Sequence, residues 1–330
     1  MMIYLLLLSV FILSFVLTYL VKEYTKRKSI IDIPNHRSSH TVPTPRGGGL
    51  AVVIAWLAGI SVLFFVNSIN ENLYFAFLGS IPLIIVGIID DVADVKPVIR
   101  ISVQSLSAIW ALYFLGGFQV IDFGYFSFSN VYVNTFFAFF IILWFVNLFN
   151  FIDGIDGYLA SGVLVFTAAL FFITGNTSLL ILSAAVFGFL IWNWQPAKIF
   201  MGDTGSTVLG FNFVVFAIYF QNYDKVSFLI PLIISSVFWF DATLTLIRRF
   251  LNKEKLSSPH KKHTYQRLTQ AGFSHQKVAF LSIFINIIFA GVAFFAINNP
   301  DYILISFLSV ILVLFFIVKT ADRKKMFKSE

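Results

Sequence analysis

The sequence predicts an all-α fold, a polytopic bundle of about eleven membrane-spanning helices with ten as the nearest alternative count, and three observations predict it. First, eleven apolar runs lie near 2–21, 48–67, 73–89, 101–117, 134–151, 157–174, 177–194, 205–221, 226–247, 278–297 and 302–318. Each is long enough to cross a hydrocarbon layer of about 30 Å, which takes roughly 17–25 helical residues. Second, 58% of the residues are hydrophobic, 12% are charged and the mean hydropathy is +0.87, which excludes a soluble globular domain. Backbone groups inside lipid are satisfied in helices and not in open sheet. Third, once the first connection is placed in the cytoplasm, all but one of the 23 Lys and Arg residues fall on that side, Lys225 being the exception. That asymmetry sets the N-terminus outside and the C-terminus in the cytoplasm, and it requires an odd number of crossings.

Each element has its own signal. The first run reads as a retained span, because its positive charges (Lys22, Lys26, Arg27 and Lys28) follow it and no small-x-small cleavage pattern is evident. The outer connection 118–133 alternates apolar and polar residues around Gly124 and a Ser-Asn turn signal, which predicts a short external β-hairpin. The run 226–247 carries Pro231 and the pair Ser235-Ser236 as bend points. Beyond it, 262–270 reads as a short surface helix closing over a site. No linker, repeat or low-complexity stretch interrupts the spans. Residues 1–330 therefore read as one integral-membrane domain, with cytoplasmic loops 22–47, 90–100, 152–157, 195–206 and 248–277 forming its active face. The net charge of +7 lies in juxtamembrane loops, where it sets topology and attracts anionic headgroups, so it does not point to nucleic acid. The absence of cysteine excludes thiol catalysis, thiolate metal sites and disulfides.

Five of these loops carry residues suited to chemistry. Asp90 and Asp91 end the third run, and adjacent carboxylates at a membrane boundary call for a cation beside them. Asp94 joins their face if the helix continues to Pro97. The bland reading is a solvated helix end balanced by Lys96 and Arg100. In NLFNFIDGIDG (147–157), Asn147, Asn150, Asp153 and Asp156 recur every third residue and drift round one broad helix face, while Gly154 and Gly157 allow close approach or a break. In NWQPAKIFMGDTGST (193–207), Asn193, Lys198, Asp203, Thr204, Ser206 and Thr207 surround two glycines, and GDTGS opens a helix whose N-terminal amides favour an anion. A carboxylate beside such a site suits Mg²⁺ bridging a diphosphate, with helix capping as the structural reading. NHRSSHTVPTPRGGG (35–49) offers Arg46 to a phosphate and three glycines whose amides can approach an anion; close helix packing is the structural reading of Gly48 and Gly49. PHKKHTYQRL (259–268) gathers His260, Lys261, Lys262, His263 and Arg267, which suits phosphate or sugar better than metal because two lysines separate the histidines. Asp241 reads as a structural or supporting residue paired with Arg248 or Arg249.

Taken together, PTPRGGG, the Asp90-Asp91 pair, NLFNFIDGIDG, PAKIFMGDTGS and the His-containing last loop resemble the polyprenyl-phosphate N-acetylhexosamine-1-phosphate transferases, the WecA- and MraY-like enzymes. The match runs in order from about residue 32 to 270, and NHRSSH before PTPRGGG is most similar to the WbpL-like branch. The resemblance implies Asp203 and Asn150 as Mg²⁺ ligands, with Mn²⁺ as a substitute, and Phe200 stacking on uracil. It implies that Asp153, Gly154 and Asp156 hold uridine and diphosphate, and that Asp90 and Asp91 act on the lipid phosphate. Asp90, Asp91, Asp153, Asp156 and Asp203 would be the catalytic acids. Arg46, Asn193, Lys198, His260, Lys262, His263 and Arg267 would contact substrates, the last four through a sugar-recognition loop. That loop reads His260-Lys261-Lys262-His263 where relatives carry His-x-His-His or three consecutive histidines, which argues against a muramyl-pentapeptide donor.

The implied reaction moves N-acetylhexosamine 1-phosphate from a UDP-N-acetylhexosamine to undecaprenyl or another polyprenyl phosphate and releases UMP. It would be the first membrane step of O-antigen or another envelope glycan, at the cytoplasmic face of a bacterial inner membrane, and a homodimer is compatible with it. A phospho-N-acetylmuramoyl-pentapeptide transferase is the alternative within the family. A transporter is the alternative outside it, but its ionisable residues belong near mid-bilayer rather than at one boundary.

Overall fold

In the computed structural model, which describes residues 2–34, 42–256, 258 and 260–327, each of the eleven apolar runs is helical. In chain order the elements are α1 (Met2–Arg27), β1 (Ile31–Asp32), β2 (Thr44–Pro45), α2 (Gly49–Phe65), α3 (Glu71–Leu78), α4 (Ile81–Val92) and α5 (Pro97–Phe114). The hairpin strands β3 (Ile121–Asp122) and β4 (Ser127–Phe128) follow, then α6 (Val131–Ile152), α7 (Tyr158–Thr174), α8 (Thr177–Asn193) and α9 (Gly202–Tyr223). The chain closes with α10 (Leu229–Ile234), α11 (Ser236–Leu251), α12 (Thr264–Gln270), α13 (His275–Asn298) and α14 (Ile303–Lys324). Asn35 to Thr41, which hold the first half of the NHRSSH loop, lie outside the described residues.

Among the described residues, seven stretches are long and apolar enough to cross a membrane: 2–27, 71–92, 97–114, 131–152, 202–223, 275–298 and 300–324. The apolar helices α2, α7 and α8 have 17 residues each, or about 25 Å at 1.5 Å per residue, the short end of crossing length. The ninth run, 226–247, is α10–α11, broken at the expected bend, where Ser235 Oγ donates to Pro231 O (2.9 Å). A second break, at Gly79-Ser80 between α3 and α4, was not anticipated; there Ser80 Oγ takes the carbonyl of Phe77 (2.7 Å). Short polar residues start the helices that follow loops. Asn70, Asn130, Asn176 and Ser274 each accept an amide N–H from the first turn of α3, α6, α8 and α13.

The hub is α9. Its most apolar stretch is 94% buried, against at most 44% for the other long spans, because α2, α3, α4, α6 and α7 pack round it, while the outer helices turn exposed Phe, Leu and Ile outward. Close packing explains Gly48 and Gly49 of PTPRGGG. A Cβ on Gly49 would stand 2.3 Å from Gly205 Cα, so α2 and α9 cross backbone to backbone. The amides of Gly48 and Gly49 are also taken, by the carbonyls of Phe200 (2.9 Å) and Met201 (2.8 Å). The expected anion cradle is thus a helix junction.

The two ends of the bundle differ. At one, the β3–β4 hairpin pairs Ile121 with Phe128, as expected, and leans on the end of α9 through Asp122 N–H to Gln221 Oε1 (3.3 Å). At the other, β1 and β2 pair Ile31 with Pro45 and Asp32 with Thr44, a ribbon too short to be read from sequence, and it carries Arg46 toward α4. Helix α4 stops at Val92 instead of running on to Pro97, so Asp94 is exposed and off the Asp90 face. Helix α12 starts at Thr264 rather than 262 and is no surface helix: Thr264, Tyr265, Gln266 and Arg267 are buried.

Candidate active site at the loop end of the bundle

Four elements bring charge to one place. The end of α4 supplies Asp90 and Asp91, the start of α5 supplies Arg100, β2 leads into Arg46, and α9 opens with Asp203. Arg46 spans two of the acids, with Nε 3.0 Å from Asp91 Oδ1 and Nη2 hydrogen-bonded to Asp203 Oδ1. Arg100 spans the other pair, donating from Nη1 to Asp90 Oδ2 (2.8 Å) and lying 3.5 Å from Asp203 Oδ2. Asn150 on α6 donates to Asp203 Oδ2 (3.1 Å). Below it, Asn147 and Gln104 exchange amide hydrogen bonds (2.8 and 3.3 Å) and close the floor of the cleft.

The anion expected at the N-terminus of α9 is a residue of the chain itself. Asp91 Oδ1 accepts from Asp203 N–H (2.8 Å), and its Oδ2 accepts from Thr204 N–H (3.4 Å) and Thr204 Oγ1 (2.9 Å). Gly202 makes this approach possible: its φ is +79°, and a Cβ there would lie 2.5 Å from the Asp91 carboxylate. Asp91 therefore caps α9 and holds Arg46. Asp90 is similarly engaged, with Oδ1 accepting from Val95 N–H (2.7 Å) in the turn that brings Arg100 back.

Three carboxylates face two guanidiniums, and the carboxylates of Asp90 and Asp203 come within hydrogen-bonding reach of each other. Asp153, just past the end of α6, adds to the imbalance. Burial first, and then the charges of Asp203, Asp91 and Asp156, push its carboxyl up to about 7 against the pull of Arg46. A divalent cation fits this surplus. Asp203 and Asn150 touch, so one ion can take both, and no group of three His, Asp or Glu among the described residues forms a closed cage. Magnesium asks for little more from protein, since it keeps phosphate oxygens and water as its other ligands.

Several residues expected at substrate are occupied by the fold. Asn193 accepts from Gly157 N–H (3.0 Å) and donates to Ile199 O (3.0 Å), so both ends of its amide tie loops together. Asp156 accepts from Ala197 N–H (3.1 Å) and lies 3.3 Å from His275 Nδ1, joining the α6–α7 turn to the 195–198 loop and to α13. Gly154 is where Tyr265 crosses: a Cβ would meet the phenol oxygen at 2.2 Å, and that hydroxyl donates to Phe151 O (2.8 Å). Lys198 is exposed, its ammonium 5.4 Å from the ring centre of Trp192. Phe200 is half-buried, and its backbone joins Pro45 and Gly48 on both sides. Asp241 does not pair with Arg248 or Arg249 but accepts the Thr264 (2.7 Å) and Tyr265 (3.3 Å) amides at the start of α12.

The last loop is less cationic than its sequence. Lys262 is bound to Glu254 (2.8 Å), Arg249 is completely buried on the same Glu254 (3.0 Å), and Arg267 is bound to Asp322, so part of this charge is balanced within the chain. The rings of His260 and His263 lie 4.9 Å apart, tilted by 43°. Burial first, and then neighbouring positive groups, drives each imidazole down to about 3, so both are neutral. Buried His263 therefore has a folded pKa below its ordinary 6.5, and its contribution to stability is complete above that value and lost as pH falls toward 3. Between pH 7.5 and 5 the loss from His263 is about 2 kcal/mol. A falling unfolding temperature in detergent should show it, and His263→Gln should flatten that slope. An unchanged slope would contradict the burial of this ring.

Arg100 is the site residue that sequence reasoning missed, having been set aside as a counter-charge to a solvated helix end. Its place three residues after the helix-starting Pro97, opposite the two acids, was the available signal.

These observations define an all-helical, multi-pass membrane protein with a cage of acids and arginines at one end of its bundle. The family model described as glycosyl transferase family 4 matches residues 73–221, a stretch that holds Asp90, Asp91, Arg100, Asn150, Asp153 and Asp203. A Bacillus subtilis (strain 168) protein named probable undecaprenyl-phosphate N-acetylglucosaminyl 1-phosphate transferase is 31% identical over 314 residues, covering 91% of this chain and 86% of its own. A Thermotoga maritima undecaprenyl-phosphate alpha-N-acetylglucosaminyl 1-phosphate transferase is 30% identical over 265 residues, 77% of this chain and 78% of its own. A Mycobacterium leprae decaprenyl-phosphate N-acetylglucosaminephosphotransferase is 26% identical over 338 residues, 88% of this chain and 82% of its own. The chain belongs to glycosyl transferase family 4, the family of polyprenyl-phosphate sugar-1-phosphate transferases.

Proposed function

We propose that the protein transfers N-acetylglucosamine 1-phosphate from UDP-N-acetylglucosamine to undecaprenyl phosphate, or a similar polyprenyl phosphate, with Mg²⁺ and with release of UMP. The setting is the cytoplasmic face of a bacterial inner membrane, as the charge asymmetry of the loops favours. The sugar follows the names of the relatives. The observation that carries the reading is that the charged cage has two approaches of opposite character. An apolar slot of about 280 Å³, lined by Leu20, Val21, Tyr24, Leu50, Ile88 and Val92, ends on Arg46 and Asp91. A polar compartment of about 370 Å³, lined by Lys28, Ser29, Asp32, Arg46 and Asp91, meets the same two residues. An amphiphile with a phosphate head and a hydrocarbon tail suits the first approach, and a water-soluble nucleotide sugar suits the second.

The chemistry is a meeting of anions. An oxygen of the lipid phosphate bonds to the β-phosphorus of the donor, and the bond from that phosphorus to the bridging oxygen breaks, leaving UMP. The acceptor's second pKa is near 6, so it is largely dianionic at neutral pH and needs little help from a base. That agrees with Asp90 and Asp91 being committed to Val95, Arg100, Arg46 and the start of α9. Their task is to hold two guanidiniums where phosphate charge gathers. Held by Asp203 and Asn150, Mg²⁺ would supply charge neutralisation for the diphosphate and for departing UMP.

One phosphoanhydride replaces another, so the reaction should be freely reversible. Purified protein in detergent should release UMP from UDP-N-acetylglucosamine only when polyprenyl phosphate is added, and labelled UMP should enter the UDP-sugar pool. UMP release that ignores the lipid, or the absence of exchange, would overturn the assignment.

A further inference from the structure

The last loop is held by residues that the transfer chemistry does not use. Arg267, at the far end of α12, is 3% exposed and donates to the carboxylate of Asp322 on α14 and to Lys325 O (2.9 Å). Its Nε also takes Lys262 O (3.1 Å). Arg248, before the loop begins, donates to the same Asp322 (3.1 Å). Phe327, in the tail after α14, lies under the Arg248 guanidinium, 4.0 Å from its ring centre, with Arg267 and Lys262 at 5.6 and 5.7 Å. One carboxylate and one ring from the C-terminal segment thus touch both ends of the stretch from Arg248 to Arg267.

Between those ends, Arg249 adds an inner tie through Glu254 (3.0 Å) and the carbonyls of Lys255 (2.7 Å), Leu256 (3.2 Å) and Ser258 (3.2 Å). Two arginines brought together repel each other unless an anion lies between them, and a guanidinium as buried as Arg267 cannot be left without a counter-charge in place. Cations stacked on an aromatic face add a directional contact that excludes water from the pair. Removing Asp322 therefore leaves two like charges at the mouth of the loop and favours its opening.

We propose that Asp322 and Phe327 form a C-terminal clamp that fixes the 248–267 loop, making them positioning residues for the end of the donor that carries the sugar. The clamp rests for its consequence on the proposed transfer reaction and on the family resemblance, which implies that this loop recognises the donor's sugar. Neither residue touches the charged cage, so the lipid acceptor should be indifferent to both.

The test uses full-length protein in detergent and two readouts. The first is limited trypsin cleavage after the exposed residues Lys253 and Lys255, which tracks the open population of the loop and needs no catalytic activity. Asp322→Asn and Phe327→Ala should each raise cleavage there about tenfold, and raise KM for UDP-N-acetylglucosamine by a similar factor. In both, kcat and the KM for polyprenyl phosphate should stay near wild type. Asp322→Glu should restore both readouts, which general loss of packing would not allow. Wild-type cleavage rates in both variants would overturn the clamp. Faster cleavage with an unchanged donor KM would overturn the positioning role, while leaving the proposed transfer reaction to be judged by UMP exchange.

Discussion

Replacing Asp203 by alanine should abolish turnover, lowering kcat by at least about a thousandfold, and should remove the saturable dependence on Mg²⁺ at the same time. The carboxylate is the shared member of the cage, reached by Arg46, Arg100 and Asn150 and faced by Asp90. Without it, Arg46 retains Asp91 and Arg100 retains Asp90, so two cations face two anions, only Asp153 lies beside them, and most of the surplus that attracts a divalent ion is gone. The fold should survive. The cap of α9 is Asp91 acting on backbone amides at 203 and 204, and it does not need the Asp203 side chain. Relief of the Asp90–Asp203 approach should leave the unfolding temperature unchanged or slightly raised, the usual mark of a residue kept for function at some expense in stability. Asp203→Asn should fail equally, because an amide preserves shape and not charge. UMP release titrated with Mg²⁺ checks both variants, and turnover above about a hundredth of wild type would refute the metal assignment.

The features legible in the sequence were those governed by solvent and spacing. Apolar length set the eleven helical runs, and the exclusion of Lys and Arg from alternate connections separated the loop ends, so Asp90, Asn150 and Asp203 were expected at one end of the bundle and are found there. The bend at Ser235 and the hairpin around Gly124 were readable for the same local reasons. Pairing across long separations was not. The start of α9 visibly wanted an anion, yet nothing in the chain order said that Asp91, 112 residues earlier, would fill it. The last loop visibly carried cations, but the acids that pair with them are Glu254 within the loop and Asp322 on another helix. The resemblance implies substrate contacts at Asn193 and Gly154, and polar and breaking residues at a membrane edge suit that role. Closing short turns between spans demands the same residue types, and three-dimensional contact alone tells the two demands apart. Arg100 illustrates the converse. It was discounted as a solvated counter-charge because the turn from Val92 to Pro97, which folds it back onto Asp90, leaves no periodic signal.

Arg46 carries the second large effect, and the comparison that matters is between its two replacements. Its guanidinium reaches Asp91 through Nε and Asp203 through Nη2, acids that lie on different helices, and it stands where the apolar slot meets the polar compartment. A lysine keeps the charge but presents one compact ammonium, which can neutralise one carboxylate and cannot bridge two with fixed orientation. Arg46→Lys should therefore resemble Arg46→Ala, each lowering kcat/KM for polyprenyl phosphate by about 10²–10³. If Arg46 contributed only its charge to an acidic region, lysine would recover most of the activity. The fork is needed because Asp91 must remain on the start of α9 while Asp203 faces the substrates, and the arginine fixes the distance between those two tasks. Steady-state rates at varied lipid concentration separate the alternatives: an Arg46→Lys enzyme retaining a third or more of wild-type kcat/KM would show that charge suffices and that the bridge is incidental.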